Sequence, residues 1–172
     1  MQKRSQKVKS LALMGLMFAA AMALSFLESL LPALPMLPPG IRLGLSNIVT
    51  MYVLFVLGPG KGYVIAVLKS FFVFLTRGAV AFAMSLAGGI VSVTVMLLLS
   101  LVPQLKKQYL LLSIFGGVAH NCGQLVMARF VIGNRYVWGY LPILVVAGVL
   151  MGAVTGLVLK VVLPHINRLH IS

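Results

Sequence analysis

The sequence predicts an all-α integral membrane protein of six transmembrane helices. Three observations predict it: the composition, the length and spacing of the apolar runs, and the placement of the basic residues. Of 172 residues, 61% are hydrophobic and only 9% are charged, with a mean hydropathy of +1.11; soluble domains carry about 25% charged residues. No soluble fold of this length hides that much apolar surface. A crossing takes roughly 20 residues, so the chain has room for about six helices with short connections. It is read as a single polytopic membrane domain, residues 1–172.

Cutting the chain at Pro, Gly and charge clusters leaves apolar segments at 10–31, 43–57, 62–76, 79–101, 109–132 and 141–163. The first opens with a basic head, MQKRSQKVKS, and passes through Ala21-Met22-Ala23, a pattern that resembles a secretory signal. Its apolar run continues to Leu31, long enough to span, so it is read as the first transmembrane helix behind a short basic tail, residues 1–9. The second and third segments are short and call for tilt or for helix extending into the flanking loops. Between the first two segments lies PALPMLPPGIRLG, residues 32–44, whose prolines forbid helix and sheet over most of its length. It is expected to form a semi-rigid cap.

Cytoplasmic loops collect Lys and Arg, which orients the bundle. With the N-terminus inside, the inner segments hold Lys3, Arg4, Lys7, Lys9, Lys61, Lys106, Lys107, Lys160 and Arg168. The outer segments hold only Arg42, Arg77 and Arg135. Both termini are therefore placed in the cytoplasm, with Lys69 and Arg129 within or near the membrane.

Several function classes are excluded. The net charge of +13 is scattered between apolar runs, whereas a nucleic-acid site needs a basic stripe with interleaved aromatics. With Glu28 as the sole acid there is no carboxylate pair, no acid-rich magnesium site and no ordinary catalytic triad. The single Cys122 rules out an internal disulfide and a multi-cysteine metal site. Gly58-Pro59-Gly60-Lys61-Gly62 lacks the spacing, the following Ser or Thr and the preceding strand of a phosphate loop. No enzyme activity, cofactor or metal is expected.

Polar groups inside a bilayer cost roughly 2.5–3.5 kcal/mol each at a helix centre, so each needs a reason. Glu28 lies near the outer end of the first helix, Arg42 and Asn47 open the second, and Lys69, Thr76 and Arg77 occupy the third. His120, Asn121 and Gln124 fall within about 100° on the fifth, with Ser113 a heptad earlier and Arg129 beyond. Most of this set gathers in the outer half, beneath the cap. Polar residues that satisfy one another between helices would look similar, but an excess of cations over one acid asks for an anionic ligand or a lipid headgroup. The candidate binding residues are therefore Glu28, Arg42, Asn47, Lys69, Arg77, His120, Asn121, Gln124 and Arg129. Small-residue stripes, Gly15-Ala19-Ala23 on the first helix and Gly148-Gly152-Gly156 on the sixth, permit close helix approach, either within the monomer or to another protein.

Three strings in order, Arg42-Leu43-Gly44-Leu45-Ser46-Asn47, Ser85-Leu86-Ala87-Gly88-Gly89, and Ala119-His120-Asn121 followed by Gln124, resemble the small bacterial Gx transporter family. That family is also labelled heptaprenyl diphosphate synthase component I, and the resemblance runs over residues 11–163. It is similar in turn to the substrate-binding S components of energy-coupling factor (ECF) transporters. The resemblance implies a six-helix bundle in the bacterial cytoplasmic membrane and an outward site, capped by the loop after the first helix, for a small vitamin-like or anionic molecule. It also implies that Gly15, Ala19 and Ala23 dock a transmembrane coupling subunit, itself served by two ATPases. The synthase label fits poorly, because a prenyltransferase binds magnesium diphosphate through acids that this chain lacks. The alternative is a membrane subunit that serves isoprenoid or quinone metabolism or flavin-based electron transfer without moving a solute.

Overall fold

The computed structural model describes residues 2–30 and 44–168, with side chains described for 8–30 and 44–162. The proline-rich cap, Gly44 excepted, lies outside the described residues. Helix α1 (Gln2–Leu30) is followed by α2 (Asn47–Tyr52), which runs into a π-helical turn (Val53–Leu57), then α3 (Pro59–Ser100), α4 (Tyr109–Ile132), a 3-10 turn (Arg135–Tyr140) and α5 (Leu141–Arg168). There is no strand among the described residues.

Four described stretches are long and apolar enough to cross a membrane: Val8–Leu30, Pro59–Ser100, Tyr109–Ile132 and Arg135–Val162. Their outward faces carry Leu11, Leu75, Phe130 and Leu157, all more than half exposed. In water such a surface aggregates; in a bilayer it is the solvated face. The protein is a multi-pass membrane protein.

α1 starts at Gln2 rather than near residue 10, because the basic head holds neither Pro nor Gly and continues the helix instead of forming a separate tail. The stretch Asn47–Leu57 is short, about 16 Å of helix. Gly58, at φ 104°, ends it, and Pro59 opens α3 at a position where a missing N–H costs nothing. Of the glycine-rich string around Lys61, only Gly58 is non-helical, and Pro59–Gly62 form the first turn of α3.

α3 has 42 residues, about 63 Å if straight, twice the apolar thickness of a bilayer. It is not straight. Gly78 sits at φ 83°, ψ −179°, outside helical space, and side chains equidistant from it meet across the break. Phe74 and Phe71 pack edge-on against Phe82, Ser70 Oγ donates to Ser85 Oγ at 3.2 Å, a Cβ on Gly89 would lie 3.3 Å from Ala66, and the Tyr63 and Thr94 hydroxyls are 2.8 Å apart. α3 is therefore an antiparallel hairpin, and its break falls between the third and fourth apolar segments of the sequence.

The second arm of α3, α4 and α5 pack in antiparallel succession with backbone almost touching backbone. A Cβ on Gly152 would lie 2.6 Å from Ile114 Cα and from Ser113 O, and one on Gly148 2.8 Å from Val118 Cα. The Gly148-Gly152-Gly156 stripe is consumed inside the protein. The Gly15-Ala19-Ala23 stripe is not: nothing approaches within 4 Å of a Cβ on Gly15, and all three residues are exposed. α1 meets the bundle instead through its other face, with Ala21, Ser25 and Glu28 buried at successive turns.

Gly152→Ala is expected to wedge α4 from α5 and cost about 1–3 kcal/mol. Gly15→Ala, with open space around it, is expected to be neutral or to gain up to about 1 kcal/mol from helix propensity. Thermal denaturation of the two variants in detergent checks the contrast.

Candidate functional site

The ends of α1 and α4, the start of α2 and the turn of the α3 hairpin share one end of the bundle, and the polar residues converge there. Glu28, 4% exposed, accepts a hydrogen bond from the Gly44 backbone N–H at 2.5 Å. Gly44 takes φ 89°, a left-handed conformation suited to glycine. Its carbonyl accepts from the Asn47 N–H at 2.9 Å as α2 begins. Asn47 Oδ1 then accepts from Lys69 Nζ at 2.7 Å. Lys69 is 2% exposed on the first arm of α3, and the whole ammonium must be satisfied by groups inside the protein.

On α4, His120 and Gln124 lie one turn apart and share a hydrogen bond of 2.6 Å between the amide nitrogen and ring Nε2. The ring lies against the second arm of α3 at Gly88, where a Cβ would come within 2.9 Å of His120 Nδ1. Gly88 and Gly89 thus have separate duties: the first admits α4, the second admits the other arm of α3.

These elements enclose a cavity of about 20 Å³. α1 contributes Ser25 and Glu28, the entry to α2 contributes Gly44 and Ser46, the α3 arms contribute Lys69, Val73, Arg77, Ala81 and Ser85, and α4 contributes His120 and Gln124. That volume holds about one water, so a larger ligand must displace side chains or the segment at Gly44. Two cations and one carboxylate line the cavity, an environment that favours an anion. A second cavity of about 10 Å³ lies one to two turns deeper, and Gly44 borders both.

Of the residues singled out in the sequence, Glu28, Lys69, Arg77, His120 and Gln124 line the first cavity. Asn47 reaches Lys69 and lines the second cavity. Asn121 turns away, donating to Leu144 O on α5 at 2.8 Å, and is an interhelical tie. Arg129 is half-buried and lines neither cavity. Thr76 is exposed and donates to Phe72 O on its own helix. Arg42 lies outside the described residues. The sequence reading missed Ser25, Ser46 and Ser85; Ser25 stands one turn before Glu28 on the same face, and the other two fall inside the strings that carry the family resemblance.

The fold is shared with a solved transporter subunit. The chain superposes on a solved protein described as the S component of a bacterial ECF transporter, with a TM-score of 0.65 at 20% identity, covering 94% of this chain and 95% of that one. Comparison with curated proteins gives no match. The profile of the family described as heptaprenyl diphosphate synthase component I matches residues 17–162, and the chain belongs to that family.

Gly44→Ala is expected to destabilise the protein by about 1–3 kcal/mol, since the new Cβ would lie 2.6 Å from Asn47 Nδ2 at a positive φ. Thermal denaturation measures it. An unchanged midpoint would show that the Glu28–Gly44–Asn47–Lys69 chain is not rigidly held.

Proposed function

We propose that this chain is the membrane-embedded substrate-binding and translocation subunit of an ECF-type transporter, taking a small anionic, vitamin-like molecule. The observation that carries the reading is the cavity lined by Lys69, Arg77 and the sole carboxylate, Glu28. Such a set, left one positive charge in excess within an apolar bundle, is stabilised when an anion binds.

In this reading the chain crosses the bacterial cytoplasmic membrane six times. The crossings are α1, the stretch from α2 through the π-helical turn, the two arms of α3, α4 and α5, with both termini in the cytoplasm. The positions of the cations support this orientation. Lys61 donates to Ser10 Oγ at 2.7 Å at the end of the bundle opposite Gly78, where Lys106, Lys107 and Lys160 are exposed. Arg135 accompanies exposed Tyr136 and Trp138 at the Gly78 end, as aromatic-belt anchors do. The cavity then faces outward. The exposed Gly15-Ala19-Ala23 face docks a transmembrane coupling subunit that works with two ATPases, and the chain itself is not an enzyme.

The family description mentions a synthase component, which keeps one other reading in play: a non-transporting subunit of isoprenoid, quinone or flavin electron-transfer metabolism. Native mass spectrometry of the protein extracted gently from its own membranes separates the two. A stoichiometric anion carried with ATPase subunits supports the transporter; an empty chain accompanied by prenyl-pathway or electron-transfer proteins supports the other.

Lys69→Met is expected to lower the retained anion by about tenfold or more, measured as occupancy in the same spectra. Ala19→Leu is expected to release the partner subunits and leave the anion bound, because a bulky side chain on the exposed stripe blocks close helix approach.

A further inference from the structure

The deeper cavity has a chemistry unlike that of the first. Met51, Met96 and Met151 line it together with Gly116, Gly117 and Gly152, and no charged side chain does. Its polar groups are neutral. Ser92 Oγ is already engaged with Gly116 O at 2.8 Å. Ser113, only 2% exposed, has an Oγ with no hydrogen-bond partner. A buried hydroxyl left unpaired costs about 1–3 kcal/mol, so the cavity carries a hydrogen-bonding group in want of a partner.

The two cavities are stacked along the bundle. The first is bounded by residues near Gly78, whereas Ser92 and Met96 stand further down the second arm of α3 and Ser113 further back along α4. Gly44 borders both, and Asn47, hydrogen-bonded to Lys69, stands between them. The walls also differ in compliance. The glycine backbone of the α4–α5 contact cannot yield, because the two helices already touch. The methionines can, since their unbranched side chains have several accessible rotamers.

We infer that the two cavities are halves of one binding site, and that its ligand is a two-part molecule. An anionic group is held outermost by Lys69 and Arg77, and a neutral, apolar-faced group with a hydrogen-bonding edge lies beneath Asn47 among the methionines, its edge meeting Ser113. The inference rests on the anion-binding reading of the first cavity, and the deeper cavity determines which anions are accepted. A bare inorganic anion fills only the upper half.

Thiol-reagent mapping tests this on purified protein whose only native cysteine is removed by Cys122→Ala. Single cysteines are introduced by Ser85→Cys in the upper cavity and Ser113→Cys in the lower, with Thr155→Cys as a second reporter of the lower cavity in case Ser113→Cys does not fold. Adducts of neutral benzyl methanethiosulfonate, anionic sulfonatoethyl methanethiosulfonate and a cationic trimethylammonium analogue are counted by intact mass. At Ser85→Cys the anionic reagent is expected to outpace the cationic one. At Ser113→Cys the benzyl reagent is expected to react about tenfold or more faster than the anionic one, because that wall offers no counter-charge. Gly116→Ala, whose Cβ would come within 2.7 Å of Met96 and drive it into the space, is expected to slow the benzyl reaction and leave Ser85→Cys unaffected. A lower-cavity cysteine inert to both reagents, or as reactive toward the anion as toward the benzyl group, overturns the two-part site while leaving the anion site standing. Loss of the anionic preference at Ser85→Cys overturns the anion site itself.

Discussion

A single buried carboxylate organises this protein. Glu28 is the chain's only acid, and placing it in an apolar bundle is costly unless donors surround it. One donor that the fold supplies is the backbone N–H of Gly44, which lies 16 residues along the chain, on the far side of the proline-rich connection. That bond brings the end of the connection over the bundle and sets where α2 begins. Asn47 is thereby positioned to hold Lys69. One side chain on α1 thus links α2 and α3, and every residue facing the cavity is placed relative to that link.

The scaffold beneath the cavity depends on absent side chains. Gly88 and Gly89 let the second arm of α3 lie against α4 on one side and the first arm on the other, while Gly117, Gly148 and Gly152 bring α4 and α5 into backbone contact. In lipid there is no hydrophobic force between helices, so close van der Waals approach and interhelical hydrogen bonds carry the association. Asn121 to Leu144 O and Ser92 to Gly116 O add such bonds at the same seams. α1 differs: it contributes one buried face to the bundle, and among the described residues nothing covers its Gly-Ala face.

Similar sequence signals had different structural outcomes. Gly15-Ala19-Ala23 and Gly148-Gly152-Gly156 have the same spacing, yet one faces outward and the other lies against α4. His120 and Asn121 are adjacent and equally polar, yet one faces the cavity and the other ties α4 to α5. Gly78 carries no motif of its own, but a hairpin turns on its backbone angles.

The sequence by itself determined that this is a helical membrane protein, where most apolar segments start and stop, and that its charged residues are overwhelmingly positive. Hydropathy, glycine and proline breaks and charge are local quantities that add along the chain and need no knowledge of neighbours. Only the tertiary structure decided which polar groups meet. The convergence of Ser25, Glu28, Lys69, Arg77, Ser85 and His120 on one cavity depends on the rotation and crossing of each helix relative to the others. Those angles are set by packing between segments far apart in sequence, through glycine contacts and the Glu28–Gly44 bond, and no local property of any single helix encodes them.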